Sequence, residues 1–596
     1  MQGLDSSRDE WKRQWYWALL VALIVACAYV GLVVTLDNTN LGTTNGLWKA
    51  PDVVAWEHGS HLPLDSGEFL YLDLYGHLVR LIPDSWLQYG VPAPDVTFRK
   101  MAMLNALFGG IASGMVFLLA WQFTNSRLAA ASLVLLHAGA GFVLLNSINS
   151  EDILPAYSCF LTSAVCWFEF VQRGSDRLLK KSPQPPLPNG RGSVTAGKLV
   201  AAFLSRARQQ PAKALFVLSA LFLAFATLLH WTVMAPALVA FAAAFFFLAL
   251  RNKMLLGTAA AWFFLFLVFL QALLLLALPR LHIPVWVALH PGKADAGGWV
   301  GLLAGKWRYF LIGAGNYFSG ANNLSDYKTA FGNSSILHSM LVSWVYLAVT
   351  LTACLVTLLR RNSRRDEKVL AIFAITLFAV GEAGAIYSQP QDPQMQIEPM
   401  FATMAGAILL VGSGRLATLW RGGLVGLLAV VAVANGAWNI HLMRPGAGQD
   451  SAALAAVDEM ERLFPRDRTI IVCHGFEGWT TWQYVVGWRG NAKAFHQSEV
   501  QLARPFTLNR GITGVAAADI VSKEIDAALG SGFRVVSAVL WTQSPDQMIG
   551  SLTTVTTEAE AKTYEAILRK EYRAGTHWNT RVGPFVEILP ATQLSH

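Results

Sequence analysis

The chain has 596 residues, of which 54% are hydrophobic and only 14% are charged, against roughly 25% charged in a typical soluble domain. This composition excludes a purely soluble globular protein and indicates a polytopic membrane protein with some soluble mass. The net charge of +8 does not indicate nucleic-acid binding. The Lys and Arg residues fall in short runs at the ends of apolar segments, where such residues orient helices in a bilayer.

A bilayer core is crossed by about 20 apolar residues of helix, and scanning with that length predicts about eleven spans. They cover residues 15–36, 101–123, 128–147, 153–172, 213–230, 233–250, 254–279, 337–359, 368–387, 400–414 and 422–440. The sequence therefore predicts a polytopic α-helical membrane domain over residues 15–440.

The distribution of cations predicts the orientation of these spans. With a cytoplasmic N-terminus, residues 1–14, the inner loops receive the Lys and Arg runs, including the linker 173–213. The short external turns at 148–152 and 388–399 contain no Lys or Arg, in agreement with the positive-inside rule. An odd number of spans then places residues 441–596 outside. A retained first helix suits a bacterial inner membrane with a periplasmic C-terminal domain.

Two predicted external loops are long. The first, residues 37–100, contains the sequence Leu-Asp-Ser-Gly-Glu-Phe at 64–69, followed by an amphipathic stretch at 69–82 that suits a helix along the membrane surface. The second, residues 280–336, mixes aromatic residues with the cations Lys306 and Arg308. Both loops carry polar groups to the predicted outer surface.

From about residue 445 the sequence has the texture of a soluble domain. Residues 469–473, 533–540 and 582–589 read as strands, and residues 516–528 and 558–571 read as helices. Alternation of strand and helix predicts a small α/β layer domain.

Two acidic pairs stand in the predicted external segments. Asp65 and Glu68 are three residues apart, a spacing that places both on one helix face and also fits a helix cap with its box partner. Glu151 and Asp152 precede the span 153–172, where they are functional or paired, or else Ser150 or Asp152 caps that helix, with Pro155 in its first turn. His230 ends another span, as a ligand or as hydrogen-bonded packing. All three sites lie on one predicted face, so we expect a shared cavity.

These motifs together carry a family resemblance. Asp-Ser-Gly-Glu at 65–68, Ser-Glu-Asp at 150–152 and Leu-Leu-His-Trp at 228–231 occur with many spans and an extracytoplasmic α/β domain. In this combination the chain resembles the GT-C membrane glycosyltransferases, in particular the protein O-mannosyltransferase-like branch, over residues 15–440. It departs from that branch in lacking a His-Pro-Pro-Gly stretch after the acidic motif, where it has Leu-Asp-Leu-Tyr-Gly-His at 72–77.

The resemblance implies an enzyme that transfers a sugar, with inversion, from a polyprenyl-phosphate donor to an extracytoplasmic glycan, lipid or protein acceptor. It implies Asp65 as general base beside Glu68, and Glu151 or Asp152 as a second acidic group that orients the acceptor. If a divalent metal takes part, Asp65, Glu151 and Asp152 are its expected ligands. Candidates for the donor phosphate or the acceptor are Arg80, Arg99, Lys100, His230, Lys306 and Arg308.

Two other functions stay open on the sequence. The missing proline-rich stretch fits a non-catalytic scaffold subunit that keeps the fold and binds a membrane-protein partner. A transporter fits less well, because the carboxylates cluster at the ends of spans and the sequence has no visible inverted repeat.

Overall fold

The structure is a computed structural model. It describes residues 2–37, 53, 70–86, 96–149, 153–179, 211–230, 234–250, 254–277, 311, 313–320, 334–387, 397–412, 418–444, 447–474, 499–509, 511–553 and 555–591. The chain forms two compact units. Unit 1 comprises Met1–Leu36, Pro63–Leu74 and Ala102–Gly446, and unit 2 comprises Asp37–Leu62, Tyr75–Met101 and Ala447–His596.

The helical part of the chain, up to Met443, contains thirteen helices in the part that the structure describes. They are α1 (Gln2–Leu36), α2 (Tyr71–Val79), α3 (Val96–Thr124), α4 (Arg127–Ala138), α5 (Gly141–Ile148), α6 (Ile153–Leu179), α7 (Pro211–Leu229), α8 (Met234–Ala249), α9 (Met254–Ala277), α10 (Ser334–Leu359), α11 (Arg365–Tyr387), α12 (Ile397–Gly412) and α13 (Thr418–Met443).

Each predicted span coincides with one of these helices or with the pair α4 and α5. Among the described residues, six helices are long and apolar enough to cross a membrane, namely α1, α3, α6, α9, α10 and α13. The pair α4 and α5 passes the same test together but is bent by 65°, and α7, α8 and α12 are shorter apolar helices. A mostly helical membrane fold is therefore confirmed, while a total of eleven spans stays a prediction.

Small residues let several of these helices touch backbone to backbone. A Cβ at Gly110 of α3 would lie 2.4 Å from the carbonyl oxygen of Ala22 in α1, and one at Gly114 would lie 2.8 Å from that of Ala18. A Cβ at Gly406 of α12 would lie 2.2 Å from the carbonyl oxygen of Thr350 in α10. Close approach at Gly is how helices associate where lipid removes the hydrophobic driving force.

Unit 1 contains an aromatic cluster that joins four helices. Phe241 of α8 lies 4.6 Å from Trp262 of α9 and 4.9 Å from Phe373 of α11, measured between ring centroids. Trp167 of α6 meets Phe241 edge to face at 5.5 Å. Such contacts stabilise aromatic pairs beyond the area that they bury, so the cluster fixes α6, α8, α9 and α11 together.

Unit 2 contains a five-stranded mixed sheet in the order β2-β1-β3-β5-β4. Its strands are β1 (Thr469–Cys473), β2 (Glu499–Gln501), β3 (Arg534–Ser537), β4 (Tyr572–Thr580) and β5 (Gly583–Pro590). Strand β1 pairs in parallel with β2 and β3, and β5 pairs antiparallel with β3 and β4. The helices that accompany the sheet are α14 (Gln449–Leu463), α15 (Arg504–Leu508), α16 (Gly514–Gly530), α17 (Pro545–Leu552) and α18 (Glu558–Glu571).

The predicted elements of this sheet are confirmed with two differences. The strand predicted over 533–540 ends at Ser537, because its Oγ accepts hydrogen bonds from the backbone N–H groups of Val539 (3.0 Å) and Leu540 (2.8 Å) and turns the chain. Strands β2 and β4 were not predicted.

The thiol of Cys473 in β1 is buried and lies near Glu499. Burial and the neighbouring carboxylate both raise the pKa of this thiol, so it is an unreactive packing group.

Candidate functional site

The predicted site residues divide between described and undescribed parts of the chain. Asp65, Glu68, Glu151, Asp152, Lys306 and Arg308 lie outside the described residues. Arg80, Arg99, Lys100 and His230 lie within them. The region of the site is therefore defined by the described residues that neighbour the acidic and basic segments in the chain.

Helices α6 and α7 form an antiparallel pair that ends beside the predicted site. The ring centroids of Phe170 and Phe216 are 4.9 Å apart, and Ser163 Oγ donates to the carbonyl oxygen of Ser219 at 2.7 Å. Later residues of α6 thus meet earlier residues of α7. Ile153 and Leu229 each lie ten residues from the serine contact. At 1.5 Å per residue the start of α6 and the end of α7 therefore reach the same end of the pair.

The segment that follows the Asp65–Glu68 motif is attached at this end. The backbone N–H of Leu70, the residue after Phe69, donates to the carbonyl oxygen of Leu228 at 3.1 Å. The Leu70 side chain packs against Leu228, as do Leu270 and Leu273 of α9. His230 lies two residues after Leu228 in the chain and is 4% exposed. The first acidic motif is thus joined to unit 1 beside the C-terminus of α7.

The segment that precedes the Glu151–Asp152 turn is attached by α3. Asn105 Nδ2 donates to the carbonyl oxygen of Asn149 at 2.6 Å, and both residues are buried. Earlier in α5, Ser147 Oγ donates to the carbonyl oxygen of Val143 at 2.6 Å. Ile153, on the other side of the turn, begins α6. The attachment points of both acidic motifs and His230 therefore lie at one end of the α6 and α7 pair.

The bend between α4 and α5 precedes the Glu151–Asp152 turn in the chain. There the backbone N–H groups of Gly141 and Phe142 donate to the carbonyl oxygens of Phe318 and Tyr317, both at 2.8 Å. Tyr317 and Phe318 belong to residues 313–320, in the second half of the predicted second external loop, residues 280–336. The hydroxyl of Tyr29 donates to the carbonyl oxygen of Ala138 at 2.9 Å. The bend thus receives partners from distant parts of the sequence.

Two of the predicted phosphate-binding cations form ion pairs within unit 2. Arg99 Nη2 lies 2.7 Å from Asp37 Oδ1, and the buried Lys100 Nζ lies 2.5 Å from Asp84 Oδ1. Arg80 is exposed at the end of the first-loop helix α2. The sequence did not predict these ion pairs, which give Arg99 and Lys100 a structural role.

Two buried carboxylates were missed by the sequence reading as site candidates. Glu382 of α11 and Glu398 of α12 are only 5% and 6% exposed. The Glu398 side chain lies against Gly381, where an added Cβ would come within 2.1 Å of its Cγ. Glu382 Oε1 has no hydrogen-bond partner in the part of the chain that the structure describes. The signal for Glu382 was its position inside the predicted span 368–387, because an acidic residue there is costly in a bilayer. Glu398 lies in the predicted external turn 388–399, where an acidic residue gives no such signal.

A metal site is not formed by the described residues alone. Within them no group of three or more His, Cys, Asp and Glu side chains could hold a metal ion. The predicted ligand set of Asp65, Glu151 and Asp152 lies outside those residues, so metal binding stays a prediction.

The sequence matches no family model, and no curated protein matches it. The chain is similar in structure to ArnT from Cupriavidus metallidurans, whose crystal structure is of the apo state. The TM-score is 0.51 at 12% sequence identity, and the similarity covers 95% of this chain and 97% of that one. ArnT is a GT-C family glycosyltransferase. At this identity the similarity shows the fold alone.

Proposed function

We propose that the chain is an integral-membrane glycosyltransferase of the GT-C type that moves a sugar from a polyprenyl-phosphate donor to an extracytoplasmic acceptor, with inversion. The observation that carries this proposal is the ArnT-like fold over 95% of the chain. The acceptor is a glycan, lipid or protein, and the O-mannosyltransferase-like motifs make mannose the first sugar to try. The N-terminus is cytoplasmic and the C-terminal α/β domain is periplasmic, in a bacterial inner membrane with eleven spans.

In this proposal the acidic motifs supply the base. The acceptor hydroxyl must lose its proton as it attacks the sugar carbon from the face opposite the phosphate, and a carboxylate within hydrogen-bond reach can take that proton. We assign this role to Asp65, with Glu68 as its neighbour and Glu151 or Asp152 as the group that orients the acceptor. The attachment of Leu70 to Leu228, at the end where α6 begins, supports a common site.

Cations must stabilise the phosphate as it leaves. Arg99 and Lys100 already neutralise Asp37 and Asp84, so we assign the phosphate first to Lys306 and Arg308. His230, beside the attachment of Leu70, then contacts the donor or the acceptor, and Arg80 is the remaining exposed candidate. A divalent ion held by Asp65, Glu151 and Asp152 would supply the same positive charge.

The proposal is tested with the purified chain in liposomes. A panel of polyprenyl-phosphate sugars, including mannose, is supplied with glycan, lipid and peptide acceptors. We expect one donor to be consumed, with polyprenyl phosphate released in equal amount and the anomeric configuration of the product inverted by NMR. No donor consumption, together with no polyprenyl lipid in extracts of the purified protein, would contradict the proposal.

A scaffold subunit is the second candidate, and the missing His-Pro-Pro-Gly stretch favours it. Purification in mild detergent separates the two functions. The scaffold function predicts a stoichiometric membrane-protein partner and no bound polyprenyl lipid, whereas the transferase function predicts the lipid on the isolated chain.

A further inference from the structure

Two asparagines of α13 reach the bend between α4 and α5. Asn435 and Asn439 are four residues apart, so their side chains leave the same face of the helix. Asn435 Nδ2 donates to the carbonyl oxygens of Phe318 (2.8 Å) and Gly139 (3.2 Å). Asn439 Nδ2 donates to the same two oxygens, at 3.1 Å and 2.8 Å, and its Oδ1 accepts from the N–H of Gly320 at 2.8 Å. We call Asn435 and Asn439 the amide clamp.

The amide clamp compensates for the interruption of the helix. A bend in a membrane bundle frees backbone groups that cannot bind water, and it persists only where the protein satisfies them. Gly139 also lets α13 come close, because a Cβ there would lie 3.1 Å from the carbonyl oxygen of Ala432 and 3.2 Å from the Cα of Gly436. The clamp and this contact together hold the bend against α13.

The carbonyl oxygen of Phe318 connects α5 with residues 313–320, and each of these segments neighbours predicted site residues in the chain. Besides the two amides it accepts the N–H of Gly141, the first residue of α5. Helix α5 leads to Asn149 and then to the Glu151–Asp152 turn. In the other direction, residues 313–320 follow Lys306 and Arg308 along the chain. Leu311, three residues after Arg308, is held by a 3.0 Å hydrogen bond from Trp344 Nε1 to its carbonyl oxygen.

We propose that Asn435 and Asn439 are positioning residues of the transferase site. The amide clamp fixes the start of α5 relative to residues 313–320. Along the chain, α5 precedes the second acidic group, and residues 313–320 follow the cations at 306 and 308. This assignment rests on the proposed function of those residues. The clamp itself does not touch the substrate, and its effect on the reaction passes through the two segments that it joins.

The shared acceptors predict a specific form of non-additivity. In Asn435→Leu or Asn439→Leu, each of the two carbonyl oxygens keeps one amide donor. In the double variant both oxygens lose both amide donors, and only the N–H of Gly141 remains on the Phe318 oxygen. The Gly320 N–H loses its acceptor in Asn439→Leu and in the double variant alike. Residues that share partners are strongly coupled in double-mutant cycles. We therefore expect each single variant to lower kcat about 3-fold and the double variant to lower it about 100-fold, the scale of a misplaced reacting group.

The matched control is Trp438→Phe, also on α13. It removes the 2.7 Å hydrogen bond from Trp438 Nε1 to Ser339 Oγ of α10 but leaves the clamp intact. Hydrogen exchange by mass spectrometry on the detergent-purified chain gives a readout that needs no activity. In the double variant we expect faster exchange of the amides of residues 141–148 and 313–320, with unchanged exchange in α6 and α7. If the double variant does not fold, Asn439→Leu should show faster exchange at residues 313–320 alone.

Additive effects of the two single variants on kcat, or exchange in the double variant that matches Trp438→Phe, would overturn the proposal. Faster exchange throughout unit 1 would also overturn it, because that result shows a merely structural role. If wild-type protein transfers no sugar while the exchange pattern appears as expected, the proposed function fails and the mechanical role of the clamp stands. If transfer occurs and the exchange pattern is absent, the clamp proposal alone fails.

Discussion

The bend between α4 and α5 and the junction of α11 with α12 are both places where unit 1 buries polar groups, and they do so differently. At the bend every group that we name is a neutral amide, carbonyl or hydroxyl, and the carbonyls of Gly139 and Phe318 have partners from distant elements. At the junction the groups are the ionisable Glu382 and Glu398, and Glu382 Oε1 has no partner among the described residues. Buried neutral groups that share several hydrogen bonds hold one geometry. A buried carboxyl without a partner lowers stability, and such residues are usually kept for a functional reason.

The largest effect on stability is expected from Gly381→Ala at the junction. The new Cβ would lie 2.1 Å from Glu398 Cγ and 2.6 Å from its Cδ, so the buried side chain must move. Overpacking of this kind costs about 3 kcal/mol, which should appear as a lower free energy of unfolding in mixed detergent. The control is Gly384→Ala in the same helix, where an added Cβ meets nothing within 4 Å. Equal stability of the two variants would refute the close contact.

An intermediate effect is expected from Ser343→Ala, which acts on the segment that partners the bend. Ser343 Oγ accepts from the N–H of Ser319 at 2.9 Å and donates to its carbonyl oxygen at 3.3 Å. The substitution leaves a buried N–H without a partner, at a cost of about 2 kcal/mol. Thr357→Ala on the same helix removes only a local bond to Ala353 and should leave the unfolding temperature nearly unchanged. A similar loss in both variants would count against a satisfied network at the bend.

The smallest effect, of opposite sign, is expected from Glu382→Gln. The change keeps the shape and removes an ionisable group whose Oε1 has no partner among the described residues, so the free energy of unfolding should rise by about 1 kcal/mol. Glu367→Gln in the same helix is the control, because Glu367 lies 3.1 Å from Nε of Arg364, the residue before the helix, and accepts from its backbone N–H. That variant should lose stability. A loss in Glu382→Gln as well would mean that its carboxylate has a partner that holds it.

The apolar pattern predicted where helices stand but not how two of them are joined. Residues 128–147 read as one span because Gly139, Ala140 and Gly141 are compatible with a continuous apolar helix. The 65° bend depends on Phe318, Asn435 and Asn439, which are remote in sequence. Strand β4 was missed because most of its side chains are exposed or half-exposed, so the chain lacks a clear apolar alternation there.

The candidate site was predicted by residue type, and type alone does not reveal pairing. Arg99 and Lys100 have the charge that a phosphate needs, yet Asp37 and Asp84 lie beside them in unit 2. Glu382 was hidden within an apolar window that reads as a span. The structure attaches Leu70 to the end of α7, and a shared region for the first acidic motif and His230 stays a prediction.

The central claim is that Asp65 removes the acceptor proton, and Asp65→Asn tests it most directly. The variant and wild type are compared in the same liposomes with the same lipid-linked donor, with Asp519→Asn, an exposed helix position, as the control. We expect Asp65→Asn to lower transfer about 1,000-fold, within the range for loss of a general base, while the amount of bound polyprenyl lipid stays at the wild-type level. Full transfer by Asp65→Asn would contradict the assignment of the base.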